Sequence, residues 1–269
     1  MYNNQLTVSL VVTTYNRADA LDVVLRSIAR QSVFPNEVIV ADDGSTSATK
    51  ELVEKTSVGF PVPLHHCWHE DKGFRLSAIR NKAMAQATSD YIVMVDGDIA
   101  LHRHFIRDHI RIAASGQFIQ GRRTLVLEKL TNDLLSGKKT RVTCWSKGIQ
   151  NRLNACCCKI LSPVVSSIFS KQQYIGSIRG CNMAFWKSDI IAVNGFNEAF
   201  EGWGREDSEF VARLFNNGIR RKDLRLGGVA YHLYHHEASK TMLEHNDLLL
   251  RETVAQNLKR CALGIDQYL

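Results

Sequence analysis

Asp96 and Asp98, separated only by Gly97 and following the apolar run Tyr91-Ile-Val-Met-Val, define the chemistry open to this chain. A strand ending in such a pair delivers both carboxylates to one site, and hard oxygen ligands of that kind suit Mg²⁺ or Mn²⁺ bridging a diphosphate. A solvated turn is the competing reading of an isolated Asp-x-Asp, and the preceding apolar strand argues against it. Asp43, after Asp42 and a second apolar run, sits where a carboxylate can accept a hydrogen bond from the ring N–H of a base such as uracil. Asp42, Ser45 or Thr46 can instead cap a turn or helix there. Gly202-Trp203-Gly204-Arg205-Glu206-Asp207 combines glycines that let the backbone approach a ligand, an indole able to stack on a sugar face, and a carboxylate pair opening a helix. N-capping by Asp207, with Glu206 and Glu209 favouring the helix start, is the structural alternative. His232, His235 and His236 follow a last short strand; a neutral imidazole, His232 ahead of His235, can complete a metal shell begun by Asp98, against a solvated or structural role for each.

These side chains need a scaffold that brings them together. Residues 8–14 read as a buried strand ending in a loop, and Leu21, Val24, Leu25 and Ile28 give 18–30 helical spacing. Residues 37–41 form a second strand closed by Asp42-Asp43-Gly44-Ser45; 49–57 read as helix, 62–66 as strand, 76–87 as helix and 91–95 as the strand before Asp96. Further on, 180–186 are strand-like, 187–193 helical and 195–205 a loop. Phe210, Val211, Leu214 and Phe215 give 207–217 an amphipathic helix ending at Gly218, and 229–233 form a last strand. The alternation predicts an α/β fold, a Rossmann-like, mostly parallel sheet with helices on both faces. Polar residues gather just after the strands, so their loops converge on one crevice at the strands' carboxyl ends. No internal repeat or Pro/Gly/Ser-rich linker divides the chain, and one domain with a large insertion is the simplest organisation.

A length of 269 residues with 45% hydrophobic residues is ample for a buried core, and a globular enzyme is the default class. The net charge of +7 is local: residues 134–188 hold no Asp or Glu and nine Lys or Arg, and without those nine the balance is 25 basic to 27 acidic, or −2. Within 134–178, Ile149, Leu153, Cys156, Cys157, Ile160, Val164, Ile168 and Phe169 recur at helical spacing, with Arg152, Lys159 and Lys171 between them and Pro163 as a break. A basic amphipathic helix of this kind can lie in the interface of an anionic membrane; packing on the domain's own core is the alternative. The same stretch lacks a nucleic-acid-binding module and interleaved aromatics, which argues against nucleic acid as a partner. Seven cysteines, an odd count with no CxxC pair, suit reduced thiols. The first residues carry no basic and apolar leader, and no apolar run approaches the ~20 residues that span a bilayer, so a cytoplasmic protein is expected.

In order, VSLVVTTYNR (8–17), VIVADDGS (38–45), MVDGD (94–98) and GFNEAFEGWGREDSEF (195–210) resemble an inverting, family-2-type glycosyltransferase of GT-A fold. The last segment is similar to the C-terminal part of β-1,4-galactosyltransferases and of bacterial chondroitin-polymerase-type enzymes. The resemblance spans residues 6–125 and 178–236. It implies that Thr13 and Asp43 contact the uracil of a UDP-sugar, that Tyr15 and Arg80 line the base and ribose, and that Asp96 lies by the ribose and sugar. It further implies Asp98 and His232 (alternatively His235) as ligands of Mn²⁺ or Mg²⁺, Trp203 and Glu206 as acceptor-binding, and Asp207 as acceptor-binding and general base. Residues 6–125 would then be the nucleotide-sugar half, 134–178 a basic insertion, 179–236 the acceptor and catalytic half, and 237–269 a helical tail of a single domain. The implied activity moves a hexose or N-acetylhexosamine to a saccharide or glycolipid acceptor, with inversion. Synthesis of bacterial surface polysaccharide, lipopolysaccharide core or capsule, at the inner face of the cytoplasmic membrane is the corresponding setting.

Three rival readings fit less well. A sugar-nucleotide pyrophosphorylase needs a Gly-rich basic phosphate loop after its first strand, and Thr13-Thr14-Tyr15-Asn16-Arg17 offers none. A glycoside hydrolase has no use for a nucleotide site at Asp43. A non-catalytic nucleotide-sugar-binding subunit is the alternative function, and it would bind UDP-sugar without turnover.

Overall fold

The computed structural model describes residues 6–169, 175, 177–236 and 241–269. The aliphatic runs read from the sequence form the first strands, each followed by its helix: β1 (Val8–Thr14), α1 (Ala18–Ile28), β2 (Glu37–Asp42), α2 (Ser47–Ser57), β3 (Leu64–Trp68), α3 (Leu76–Gln86) and β4 (Tyr91–Asp96). The chain continues through β5 (Ile99–Leu101), α4 (Phe105–Ile112), β6 (Gln117–Gln120), β7 (Thr124–Val126), α5 (Glu128–Leu135), β8 (Ile149–Gln150) and α6 (Leu161–Ile168). It closes with β9 (Asn182–Trp186), α7 (Lys187–Ala192), α8 (Glu206–Asn216), β10 (Arg220–Asp223), β11 (Ala230–His232) and α9 (Leu243–Ala255).

Seven strands form the main sheet in the order β10-β6-β9-β4-β1-β2-β3. All pairings are parallel except those of β9, which runs antiparallel to β4 and β6. The carboxyl ends of six strands and the amino end of β9 therefore share one edge. Alternation along the strands supplies two cores. Leu10, Val12, Val40 and Val95 pack with Leu21, Leu25 and Phe105 from α1 and α4 on one face. Val11, Ile39, Ile92 and Met94 pack with Ile79, Met84, Phe210 and Leu214 from α3 and α8 on the other. This is the α/β architecture expected from the sequence.

A second sheet, β5-β11-β7-β8, has four strands, of which only β11 was read from the sequence, as the strand at 229–233. Its strands are two or three residues long. It packs Ala100, Val126 and Tyr231 against Ala20 and Val23 of α1 and Leu130 and Leu134 of α5. Its consequence for the site is the register that sets His232 opposite Ile99, with the Leu233 amide donating to the Asp98 carbonyl at 2.9 Å.

The basic segment differs from the expected single amphipathic helix. It holds β8, a 3-10 turn (Arg152–Ala155) and the short α6. Pro163 lies in the first turn of α6, where its missing N–H is one of the helix's unpaired donors anyway, so it does not break the helix. The helix is inverted in polarity: Ser162 and Ser166 are buried, their hydroxyls donating to the Arg225 carbonyl at 2.7 and 3.4 Å, while Val164 and Ile168 face outward. Lys171 lies outside the described residues. In the expected helical tail, 237–240 likewise lie outside them, and α9 and a 3-10 turn (Ile265–Tyr268) follow. All seven cysteines are free thiols.

Candidate functional site

β1 and β4 run side by side, so Thr13 pairs in register with Asp96 and its hydroxyl donates to Asp96 Oδ1 at 3.0 Å. The next amide, Gly97, donates to the Thr13 carbonyl at 2.6 Å. Only a glycine fits there: a Cβ at 97 would lie 2.6 Å from that carbonyl oxygen. Asp98 is thereby turned back toward the second sheet, while Asp96 stays at the crevice edge with a third of its side chain exposed (33%).

The neighbouring strand end splits the Asp42-Asp43 pair. Asp42 is structural: Oδ1 accepts from the Ser45 amide at 2.9 Å and Oδ2 meets His66 Nε2 at 2.9 Å. Asp43, equally buried, receives His69 Nε2 at 2.6 Å and the Arg75 amide at 3.0 Å. Its carboxylate therefore holds loop 69–75 against β2. Tyr15 is half-exposed beside it, donating from its hydroxyl to Asp71 Oδ2 at 3.0 Å, a hydrogen bond that raises its pKa above the ordinary phenol value.

Arg80 stands between two carboxylates of the site. Fully buried in α3, its guanidinium reaches Glu206 Oε1 at 3.2 Å and Asp96 Oδ1 at 3.4 Å, over the Phe196 ring. It ties the Asp96 end of β4 to the start of α8, its bond to Glu206 spanning 126 residues of sequence. Burial, then the charge of Asp207, pushes Glu206 up to about 7, with Arg80 pulling the other way. Asp207 does not cap α8, whose N-cap position is Arg205 in left-handed geometry (φ 75°). Its Oδ1 accepts from the Ser208 amide at 2.7 Å and its Oδ2 from the Gly180 amide at 2.8 Å, which points the carboxylate toward the amino end of β9. Trp203, 42% exposed, stands on the loop just before α8.

Asp98 meets both candidate histidines. His235 Nε2 lies 3.2 Å and His232 Nε2 3.6 Å from Asp98 Oδ2, and one ligand atom from each of the three residues falls within a 4.8 Å cluster. Asp98 Oδ1 is buried with no hydrogen-bond partner among the described residues. Burial, then Asp96, pushes the Asp98 carboxyl up to about 7. Burial, then Arg123, pushes His232 down to about 4, so its imidazole is neutral and free to ligate. An orphaned carboxylate oxygen, an under-compensated acid and a neutral imidazole together fit a divalent cation.

Sequence reasoning missed Arg123, whose charge reaches both Asp98 and His232. The signal was present: Gly121-Arg122-Arg123 directly follows β6 at the same sheet edge. It also missed that Gly180, beside Arg179, anchors Asp207.

The glycosyl transferase family 2 model matches residues 9–166, and a model described as the N-terminal domain of galactosyltransferase matches 163–236. Chondroitin synthase of Escherichia coli is 27% identical over 250 residues, covering 83% of this chain and 34% of that protein. Hyaluronan synthase of Pasteurella multocida is 28% identical over 243 residues, 83% of this chain and 24% of that one. The chain thus spans about a third or less of these relatives. Among solved structures, Staphylococcus aureus TarS residues 1–349 in complex with UDP-GlcNAc match with a TM-score of 0.63 at 18% identity, over 98% of this chain and 69% of that one. The fold is of the GT-A type.

Proposed function

The chain belongs to glycosyl transferase family 2 and is a glycosyltransferase, and on that premise we propose that it moves a hexose or N-acetylhexosamine from a UDP-sugar to a hydroxyl of a saccharide or glycolipid acceptor, with inversion. The observation that carries this reading is the convergence, at one sheet edge, of the Asp98-His232-His235 cluster and the Glu206-Asp207 pair, joined through Asp96 and Arg80. Thr13, Tyr15 and Asp43 line the β1–β2 side of that edge, where the nucleoside belongs. TarS has been solved with UDP and with UDP-GlcNAc, which supports the same class of donor here.

Asp98, His232 and His235 would hold a divalent cation, and two imidazoles beside one carboxylate favour Mn²⁺ over Mg²⁺. An ion held there would supply positive charge to a leaving diphosphate. Asp207 takes the proton of the acceptor hydroxyl, which attacks the anomeric carbon from the face opposite UDP. Two amide hydrogen bonds hold Asp207 in one rotamer for that task. Trp203 offers its face to the acceptor ring. Arg80 is a positioning residue whose guanidinium keeps Asp96 and Glu206 in place.

The setting is synthesis of bacterial surface polysaccharide at the cytoplasmic face of the membrane. Leu153, Ile160 and Ile168, 84%, 80% and 72% exposed, project from a segment without a single acid, the composition of a surface that lies on anionic lipid. No helix of the described residues is long and apolar enough to cross a membrane.

Calorimetric titration of UDP with and without Mn²⁺ tests the donor site. Wild type is expected to bind UDP at least tenfold tighter with Mn²⁺, and Asp98→Ala to lose that increment; equal affinity in all four titrations would remove the metal from the reading. Product NMR reports stereochemistry: an α-linked UDP-sugar should give a β-glycoside, and an α-glycoside would rule out direct displacement.

A further inference from the structure

On the β6 and β10 side of the same edge lies a cavity of about 260 Å³ that none of the roles above uses. Four guanidinium side chains line it, Arg122, Arg123, Arg179 and Arg221, against one carboxylate, Asp223, an excess of three positive charges (four minus one). Asp223 is already shared, 2.7 Å from Arg221 and 3.8 Å from Arg225. Arg122 reaches only a neutral amide oxygen, Asn154 Oδ1 at 3.2 Å, and the Nε of Arg123 is buried with no hydrogen-bond partner among the described residues. Burial, then repulsion from Arg225, lowers the pKa of Arg122, with Arg221 and Arg179 adding to the repulsion. Cations crowded in a cleft without matching anions are held there at a cost, and an anion entering the cleft removes it. Planar guanidinium forks match carboxylate or phosphate oxygens two at a time.

Position says which anion. Along the sheet edge the nucleoside end belongs to β1 and β2, and the Asp-Gly-Asp turn closes β4. The cavity residues flank β6 and β10, two and three strand spacings beyond β4, roughly 10 and 14 Å, on the side away from Asp43. The nucleoside end of a donor running from Asp43 to Asp98 lies farthest from the cavity, and only its diphosphate end, at the metal cluster, comes near the cavity wall, where Leu125 pairs with His232 and the charges of Arg123 and Arg179 reach that histidine. Asp207, by contrast, adjoins it: its carboxylate accepts from the Gly180 amide, and the preceding Arg179 is pinned by reciprocal hydrogen bonds with the Gln120 side chain at 3.0 and 3.3 Å.

We propose that this cavity receives an anionic group of the acceptor, a carboxylate or phosphate borne roughly one or two sugar rings from the hydroxyl that Asp207 deprotonates, so that the enzyme selects acidic acceptor saccharides. This rests on the placement of donor and base given above. The shared chemistry is an oxyanion held by two or more arginines; a uronate and a sugar phosphate are its two sources.

Direct binding tests it without requiring turnover. With UDP and Mn²⁺ present, calorimetry compares three methyl disaccharides that differ only at one residue: glucosyl, glucuronosyl and glucosyl-6-phosphate. At least one anionic member should bind ten- to a hundredfold tighter than the glucosyl compound, with an advantage that shrinks as salt rises; whichever anion does so is the source. In Arg122→Gln/Arg179→Gln that advantage should fall at least tenfold while UDP affinity stays within about twofold. Equal binding of all three saccharides, or binding of none, overturns the proposal. A variant that instead loses UDP affinity assigns the arginines to the donor diphosphate and overturns it as well. Failure of the transfer reading shows separately, as wild-type protein that binds an anionic saccharide yet never releases UDP from a UDP-sugar.

Discussion

Replacing Gly97 by alanine would insert a Cβ 2.6 Å from the Thr13 carbonyl oxygen, 3.1 Å from Thr14 Cβ and 3.2 Å from Thr14 Oγ1. A tolerable contact begins at 3.0 Å and an ordinary one at 3.4 Å, so β1 and the Asp-Gly-Asp turn must part by 0.4 to 0.8 Å (3.0 or 3.4 minus 2.6). Neither side has slack. Thr13 and Thr14 are buried in the central strand, and the Gly97 amide already donates to the same carbonyl at 2.6 Å. Overpacking of this kind costs about 1–3 kcal/mol. At about 2–4 °C per kcal/mol for a domain of this size, the thermal midpoint should fall by roughly 2–12 °C. The same half-ångström displacement moves Asp96 and Asp98 together. Since a misplacement of about 1 Å can cost roughly a hundredfold in rate, about tenfold in kcat/KM is expected here. Differential scanning calorimetry and UDP release at saturating Mn²⁺ read the two effects. A Gly97→Ala protein with wild-type midpoint and turnover would refute the packing of the Asp-Gly-Asp turn on β1.

Two further outcomes follow from other parts of the molecule. His109 is fully buried, packs against Phe105 with ring centroids 4.6 Å apart and the rings tilted by 51°, and meets Asn182 Oδ1 at 3.1 Å, and burial lowers its pKa from 6.5 to about 4. In that window the unfolded chain binds a proton that the folded one refuses, so stability is present above about pH 6.5 and is lost as pH falls toward 4, by up to about 3 kcal/mol from (6.5 − 4) × 1.36. Urea unfolding at about pH 7 and about pH 4.5 should show a smaller acid loss in His109→Gln than in wild type; an identical loss would mean His109 does not titrate as placed. For the outward apolar face of α6, Ile160→Ser/Ile168→Ser should weaken co-sedimentation with phosphatidylglycerol-rich vesicles at least tenfold, and unchanged binding would mean that this face does not meet lipid.

The strands of the main sheet's centre were legible because buried parallel strands must be apolar throughout, and β1, β2 and β4 are. Their polar exits, Asp43 and Asp96, followed from the same pattern. β10 was not legible: as an edge strand reading Arg-Arg-Lys-Asp it buries no continuous apolar run. Strands of two or three residues, such as β5 and β8, are too short to show any period, so of the second sheet only β11, read as the strand at 229–233, left a local trace, and its pairing with β5 beside Asp98 left none. The segment before α6 misled because Ile149 and Leu153 continue its helical spacing while lying in β8 and a 3-10 turn, and periodicity cannot say where a helix begins. The Arg80 bridge joins residues whose sequence spacing has no meaning outside the fold. Its burial, and the loop-holding hydrogen bonds of Asp43, are tertiary facts that no motif contains.

The transfer reaction itself stands or falls most directly on Asp207. UDP release and glycoside formation should be measured for wild type and Asp207→Asn over a panel of UDP-sugars with Mn²⁺ and acidic and neutral acceptors, alongside UDP affinity. The expected result is acceptor-stimulated turnover in wild type and a loss of roughly a hundred- to ten-thousandfold in Asp207→Asn at unchanged UDP affinity, the signature of a missing general base. Turnover in Asp207→Asn equal to wild type would contradict its role as the base, and a wild-type protein that binds UDP-sugar yet never transfers it would contradict catalysis by this site.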